Sequence, residues 1–251
     1  MRLSMKRLAF ILMALVMFSV PAWAGFAAAA YDRGDYATAL REWKPLAERG
    51  DVGAQNNLGF MYQNGQGVPQ DYTQAVKWYR KAADQGDALA QFSLGLMYAK
   101  GQGVPRDSAQ AVKWYRQAAG QGYAMAQSSL GVMYMQGQGV AKDYAQAAKW
   151  YRQAAGQGNA AAQFGLGGMY FTGLGVAKDY AQAAKWFRKA ADKGLAAAQF
   201  FLGSMYQLGL RVAKDYRQAV KWFRKAAGQG DAGAQFGLGG MYFTGLGVAK
   251  D

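Results

Sequence analysis

The chain contains no cysteine and no histidine, and only 4 prolines in 251 residues. Each absence closes off a class of mechanism. Without cysteine there is no disulfide to brace an exported domain, no thiol nucleophile and no residue to carry a lipid anchor, so packing alone must hold the fold. Without histidine the commonest general base is missing, and the two absences together remove the Cys and His ligands of most zinc sites. Catalysis built on carboxylates alone stays open. No catalytic residue, cofactor or metal is expected. Acidic residues are also scarce, 15 Asp and Glu against 29 Lys and Arg, for a formal net charge of +14. Three of those cations, Arg2, Lys6 and Arg7, precede any acid, so the rest of the chain still carries +11. Such a balance favours anionic partners only where the cations cluster, so their distribution matters more than their sum.

What the N-terminus does have is a leader pattern. After Arg2, Lys6 and Arg7 comes an apolar run from Leu8 to Val20, then Pro21 and Ala22-Trp23-Ala24. This reads as a secretory signal peptide over residues 1–24, cleaved after Ala24. The run is short for a membrane span. The expectation is a mature chain starting at Gly25, periplasmic or secreted, with no transmembrane span left after cleavage.

The rest of the sequence is organised by one period. Leu-Gly-x-Met-Tyr begins at Leu58, Leu94, Leu130, Leu166, Leu202 and Leu238, a step of 36 residues. Trp78, Trp114, Trp150, Trp186 and Trp222 keep the same step, and so do Asp71, Asp107, Asp143, Asp179, Asp215 and Asp251. A unit of this length holds two short helices and their turns. In the unit from residue 51, Ala54, Leu58, Met61 and Tyr62 share one face of a first helix predicted over Val52 to Asn64. Gly59 inside it costs roughly 1 kcal/mol relative to alanine, which close approach of the partner helix backbone would offset. Gly65 and Gly67 supply the left-handed turn. Asp71 with Gln74 reads as a capping box that opens the second helix, whose buried face is Ala75, Trp78, Tyr79, Ala82 and Ala83.

Both ends depart from the pattern. Residues 25–50 read as a capping hairpin with a brief helix from Phe26 to Arg33, and with Pro45 interrupting its second helix. Residues 232–251 repeat residues 160–179 with Gly233 for Ala161 as the only change. The last repeat is therefore truncated after its first helix, and the apolar face of Leu238, Met241 and Tyr242 is expected to lack a partner.

Ala-x-x-x-Leu-Gly-x-Met-Tyr-x-x-Gly-x-Gly-Val, followed by Asp, Ala, Trp and Ala-Ala at these offsets, closely resembles the Sel-one-like repeat (SLR) family, cousins of tetratricopeptide repeats. The resemblance covers residues 51–251. It implies an all-α, right-handed α-solenoid of 36-residue helix-turn-helix repeats whose first helices line a concave face, used as a scaffold or adaptor for a partner protein or peptide. Two departures stand out. Arg211 replaces the second turn glycine, which puts a left-handed turn in question there. The cysteines that staple hairpins in family members said to bind or hydrolyse β-lactams are absent, so that activity transfers to no residue here.

A concave face of first helices would carry Phe92, Phe164, Phe200 and Phe236 in one column, with Asn56 and Ser128, and Met135, Phe171 and Phe243 in a second, with Gln63, Ala99 and Gln207. Aromatics in such a groove can grip an extended peptide or an amphipathic helix. The competing reading is that the first column packs between neighbouring helices, so Met135, Phe171 and Phe243 are the sharper candidates. Second helices carry rows of lysine (Lys77, Lys113, Lys149, Lys185, Lys221) and arginine (Arg80, Arg116, Arg152, Arg188, Arg224). These could bind acidic glycan or nucleic acid, though export argues against nucleic acid and a solvated face covering apolar surface accounts for them. The Gly-x-Gly turns lack the strand context and the Lys-Ser/Thr ending of a phosphate loop. The favoured reading is a non-enzymatic scaffold; the alternatives are a cell-wall or β-lactam hydrolase and an acidic-glycan binder.

Overall fold

The computed structural model describes residues 22–248, so all but the end of the expected signal peptide lies outside the described residues. Among them are thirteen α-helices and no strand. An N-terminal pair, α1 (Ala22–Asp32) and α2 (Tyr36–Glu48), precedes the repeats. First helices are α3 (Val52–Asn64), α5 (Ala88–Lys100), α7 (Ala124–Gln136), α9 (Ala160–Thr172), α11 (Ala196–Leu208) and α13 (Ala232–Thr244). Second helices are α4 (Tyr72–Asp84), α6 (Ser108–Gly120), α8 (Tyr144–Gly156), α10 (Tyr180–Asp192) and α12 (Tyr216–Ala227). The described residues fall into two compact units, one ending at Arg106 and one beginning at Asp107, and within each one consecutive helices pack on one another. This is the all-α solenoid class, built hairpin by hairpin.

The turn between paired helices is fixed by three devices. Gly65 ends α3 in the left-handed region at φ 68°, and Gly67 follows at φ 70°. Asp71 then caps α4, its Oδ1 accepting from the Thr73 and Gln74 amides at 2.9 and 3.0 Å, which satisfies donors that a helix start otherwise leaves bare. The glutamine half of the capping box is corrected by the structure. The Asp71 N–H donates instead to the Tyr62 carbonyl of α3 at 2.9 Å, and Asp143, Asp179 and Asp215 repeat this with Tyr134, Tyr170 and Tyr206. The end of one helix and the start of the next thus satisfy each other.

Arg211 keeps the left-handed turn despite its side chain, at φ 55°, the one non-glycine with positive φ among the described residues. A Cβ at its glycine counterpart Gly175 would collide with the carbonyl oxygen of Tyr144.

The recurring first-helix glycine is explained by a ring. A Cβ on Gly131 would stand 2.6 Å from Cδ1 of Tyr151, and the same holds for Gly59 beneath Tyr79 and, at 2.7 Å, for Gly167 beneath Phe187. The close approach expected of partner backbone is made by the aromatic of the second helix. Small alanines beside that ring, such as Ala147, Ala154 and Ala155, are buried and let the helices close. Pro45 does not interrupt α2, which runs through it to Glu48.

Adjacent hairpins are joined by a buried glutamine in each first helix from α3 to α11. Gln55, Gln91, Gln127, Gln163 and Gln199 donate from Nε2 to the carbonyls of Ala47, Ala83, Ala119, Ala155 and Ala191 at 3.0 to 3.2 Å. Their Oε1 atoms accept from the glutamine after the following second helix: Gln85 to Gln55 and Gln157 to Gln127 at 2.8 Å, Gln229 to Gln199 at 2.9 Å. Lys193 breaks the series. It donates to the Gly158 carbonyl at 2.5 Å and leaves the Gln163 Oε1 buried without a partner.

Candidate binding face

The surface of interest is the one carried by the first helices, because it holds the aromatic columns. Phe164 and Phe171 project from α9 one face apart in register, seven residues from each other, and meet the same cluster. The Phe164 ring lies 5.6 Å from Phe187 and 5.7 Å from Phe201; the Phe171 ring lies 5.2 Å from Tyr180 and 6.1 Å from Phe201. Such tilted and edge-on pairs are favourable beyond the area they bury. Phe200 repeats the pattern one hairpin on, 5.9 Å from Phe223. All three are half-buried, sealing seams between hairpins while keeping part of their surface open. Phe92, in the first unit, is buried. Phe236 and Phe243 on α13 are 87 % and 93 % exposed.

Met135 and Phe164 come together at an opening that the columns alone do not disclose. An apolar notch of about 240 Å³ lies between α7 and α9, lined by Met135, Phe164, Gly165, Gly168, Met169, Thr172 and Leu174. Its floor is cut by two glycines, and a Cβ on Gly168 would meet nothing within 4 Å. In the other first helices before α13 the Gly168 position holds Phe60, Leu96, Val132 or Ser204, so the notch belongs to α9's sequence. The signal was present: Gly165 and Gly168 depart together from the repeat at side-chain positions that face the candidate column. Phe171 lies in the adjoining cluster rather than in the notch.

A second hollow, of about 550 Å³, opens beside the Arg211 turn and is lined by Lys178, Asp179, Tyr180, Ala181 and Arg211. Asp179 is already engaged in capping Ala181 and Gln182.

The basic rows have a structural use that the sequence reading missed. Arg116 donates to the Tyr134 hydroxyl of the next first helix at 2.7 Å, with its guanidinium over that ring; Arg80 pairs likewise with Tyr98, Arg188 with Tyr206 and Arg224 with Tyr242. These arginines are struts between hairpins, stacked and hydrogen-bonded at once. The tyrosines of the Leu-Gly-x-Met-Tyr phrase, read from the sequence as lying on one helix face with Leu58 and Met61, are not fully buried, and Tyr98, Tyr134, Tyr206 and Tyr242 supply the acceptor. Among the described residues there is no group of three or more Asp or Glu placed to hold a metal ion, and no helix long and apolar enough to cross a membrane.

Comparison with known proteins agrees with this architecture. The Sel1 repeat model matches residues 52–87, 88–123, 124–159, 160–195, 196–231 and 232–251. A protective antigen present in uropathogenic Escherichia coli strains, displaying an SLR fold, is 40% identical with a TM-score of 0.87, covering 100% of this chain and 54% of its own. This chain therefore spans about half the length of that relative. A Sel1 repeat protein from Oxalobacter formigenes is 36% identical with a TM-score of 0.83, over 91% of this chain and 92% of its own. An immunity protein from Pseudomonas aeruginosa shares the fold at 23% identity and a TM-score of 0.56, over 84% of this chain and 82% of its own. No curated protein matches the chain.

Proposed function

The chain belongs to the Sel1 repeat family, and from that premise we propose that it is an exported scaffold that binds a partner protein or peptide on the face of its first helices, without catalysis. The observation that carries the reading is the open notch between α7 and α9. Its lining is almost wholly apolar and its volume of about 240 Å³ suits one large apolar side chain. Such a pocket beside partly open aromatics is the arrangement in which a few buried anchors supply most of the binding energy. Met135 and Phe164 contact the anchor, while Phe171, Phe200 and Phe92 act by keeping the hairpins in register. Phe236 and Phe243 belong to a separate surface at α13.

The test fills the notch without disturbing the fold. Gly168→Leu places a side chain where a Cβ meets nothing within 4 Å and exchanges glycine for a better helix former. A random peptide library panned against the protein should enrich sequences with a recurrent large apolar residue, and these should lose binding to the Gly168→Leu protein, whose far-UV circular dichroism is unchanged. Enriched peptides that bind both proteins equally would remove the notch from the account. Phe171→Asp is a poorer test, since it puts a charge among Tyr180, Phe187 and Phe201. Export is checked by N-terminal sequencing of the protein recovered from the periplasm or medium, with Gly25 as the expected first residue.

A further inference from the structure

The Arg211 turn cannot close on its neighbour as the glycine turns do. At Gly139, Gly175 and Gly247 the turn rests on the start of the preceding second helix, where a Cβ would collide with the carbonyl oxygens of Ser108, Tyr144 and Tyr216. Arg211 holds the same place against Tyr180 and carries a Cβ, so its turn has to stand off. The hollow of about 550 Å³ opens there, between Arg211 and residues 178–181. Arg211 also bears the strain of a left-handed φ of 55°. A side chain kept at that cost, with the close approach given up as well, points to a use.

The charges around the hollow define its occupant. Asp179 spends its Oδ1 on the Ala181 and Gln182 amides at 2.8 and 3.0 Å. Among the described residues the Arg211 guanidinium has no hydrogen-bond or ion-pair partner, and the Lys178 ammonium lies 4.8 Å from the centre of the Tyr180 ring. Two cations against one capped carboxylate leave the hollow positive. A guanidinium fork and an ammonium together suit a doubly charged tetrahedral oxyanion better than a single carboxylate, which the fork alone would satisfy. A water occupies only about 30 Å³ of liquid, so the hollow holds more than a bare phosphate, and the occupant has an organic body that Tyr180 and Ala181 can contact. We infer that the hollow binds a phosphomonoester, free or as a lipid headgroup, through Arg211 and Lys178. None of the residues lining the notch takes part.

The probe is phenyl phosphate, titrated calorimetrically into the full chain at a pH of about 8, where its phosphate is doubly charged. Binding should saturate at one site and weaken as salt rises. Arg211→Gly removes the fork and lets the turn close on Tyr180; it is expected to melt above the parent, so its loss of binding cannot be laid to unfolding. Affinity should fall about ten-fold or more in Arg211→Gly and in Lys178→Gln, and benzoate, with one charge, should bind about ten-fold more weakly than phenyl phosphate. Sedimentation with phosphatidylcholine vesicles carrying phosphatidic acid separates the two sources. Retention on these vesicles that Arg211→Gly abolishes, with phenyl phosphate silent, upholds the chemistry and assigns it to a headgroup. The inference is overturned if the parent and Arg211→Gly bind either probe alike, if benzoate matches phenyl phosphate, or if neither probe binds.

Discussion

Replacing Gly131 with alanine should destabilise the protein, although the same exchange in an exposed helix stabilises it. The alanine Cβ would stand 2.6 Å from Cδ1 and Cε1 of Tyr151 and 2.9 Å from Cγ, about 1 Å inside the ordinary carbon–carbon separation of about 3.5–4.0 Å. Tyr151 is buried beside Ala147, Ala154 and Ala155, so its ring can retreat only by pushing on the close-packed seam. Overpacking of this kind costs about 1–3 kcal/mol, and three ring carbons in collision place it in the upper part of that range. Better helix propensity returns about 1 kcal/mol. The expected net loss is about 1–2 kcal/mol, or a fall of about 2–8 °C in Tm for a chain of this size. Gly168→Ala is the internal control: with open space at its Cβ it should raise Tm by about 2–4 °C. The assay is thermal unfolding followed by circular dichroism, repeated in a Tyr151→Ala background. There Gly131→Ala should reverse sign and stabilise. A Gly131→Ala protein that melts at or above the wild type, or whose effect keeps its sign when the ring is gone, would refute the reasoning.

Arg211→Gly should stabilise, because a left-handed φ costs a side-chain-bearing residue about 1–2 kcal/mol and glycine's freer unfolded chain returns only about 0.4–1 kcal/mol of that; a lowered Tm would contradict it. Lys193→Gln should restore the missing partner of the buried Gln163 Oε1 and raise stability by about 1 kcal/mol, measured by urea unfolding, with no gain if Gln163 is first changed to Leu. Stability should be intact below pH 10 and fall above it. Burial pushes the Tyr115 and Tyr151 phenols up to about 12 and raises that of Tyr79 as well. Between pH 10 and 12 the unfolded chain has therefore lost protons that the folded one keeps, a decline of about 1.4 kcal/mol per pH unit for each such tyrosine. Tyr151→Phe should make the decline shallower, as Phe187 and Phe223 already do in later hairpins, and an unchanged slope in alkaline urea titrations would count against burial as the cause.

The hairpins were legible because their devices are local. Thirty-six-residue spacing, the αL glycines and the Asp cap each act within a few residues, and α3 runs from Val52 to Asn64 as its periodicity foretells. What the sequence concealed depends on the next hairpin. A Gln74 that could close a capping box gives way to the Tyr62 carbonyl, which the turn brings within 2.9 Å of the Asp71 amide. The arginine row looks like a free cationic strip until tyrosines 18 residues later are seen to receive it. Pro45 looks like a breaker, yet α2 continues through it. At the candidate site the residue types were readable and their roles were not: Phe171 and Phe164 share a cluster with Phe187 and Phe201, while the opening itself comes from what Gly168 omits, the space beside Gly165 being taken by the Tyr151 ring.

The central claim, that a partner side chain enters the notch between α7 and α9, is tested most directly by methyl NMR of methionine-labelled protein titrated with a library-selected peptide. Met135 and Met169 line the notch, whereas Met61 and Met97 are buried in the other unit. The account predicts saturable shifts of the Met135 and Met169 methyl signals with Met61 and Met97 unmoved, all lost in Gly168→Leu. Peptide that saturates the protein while Met135 and Met169 stay still would contradict it.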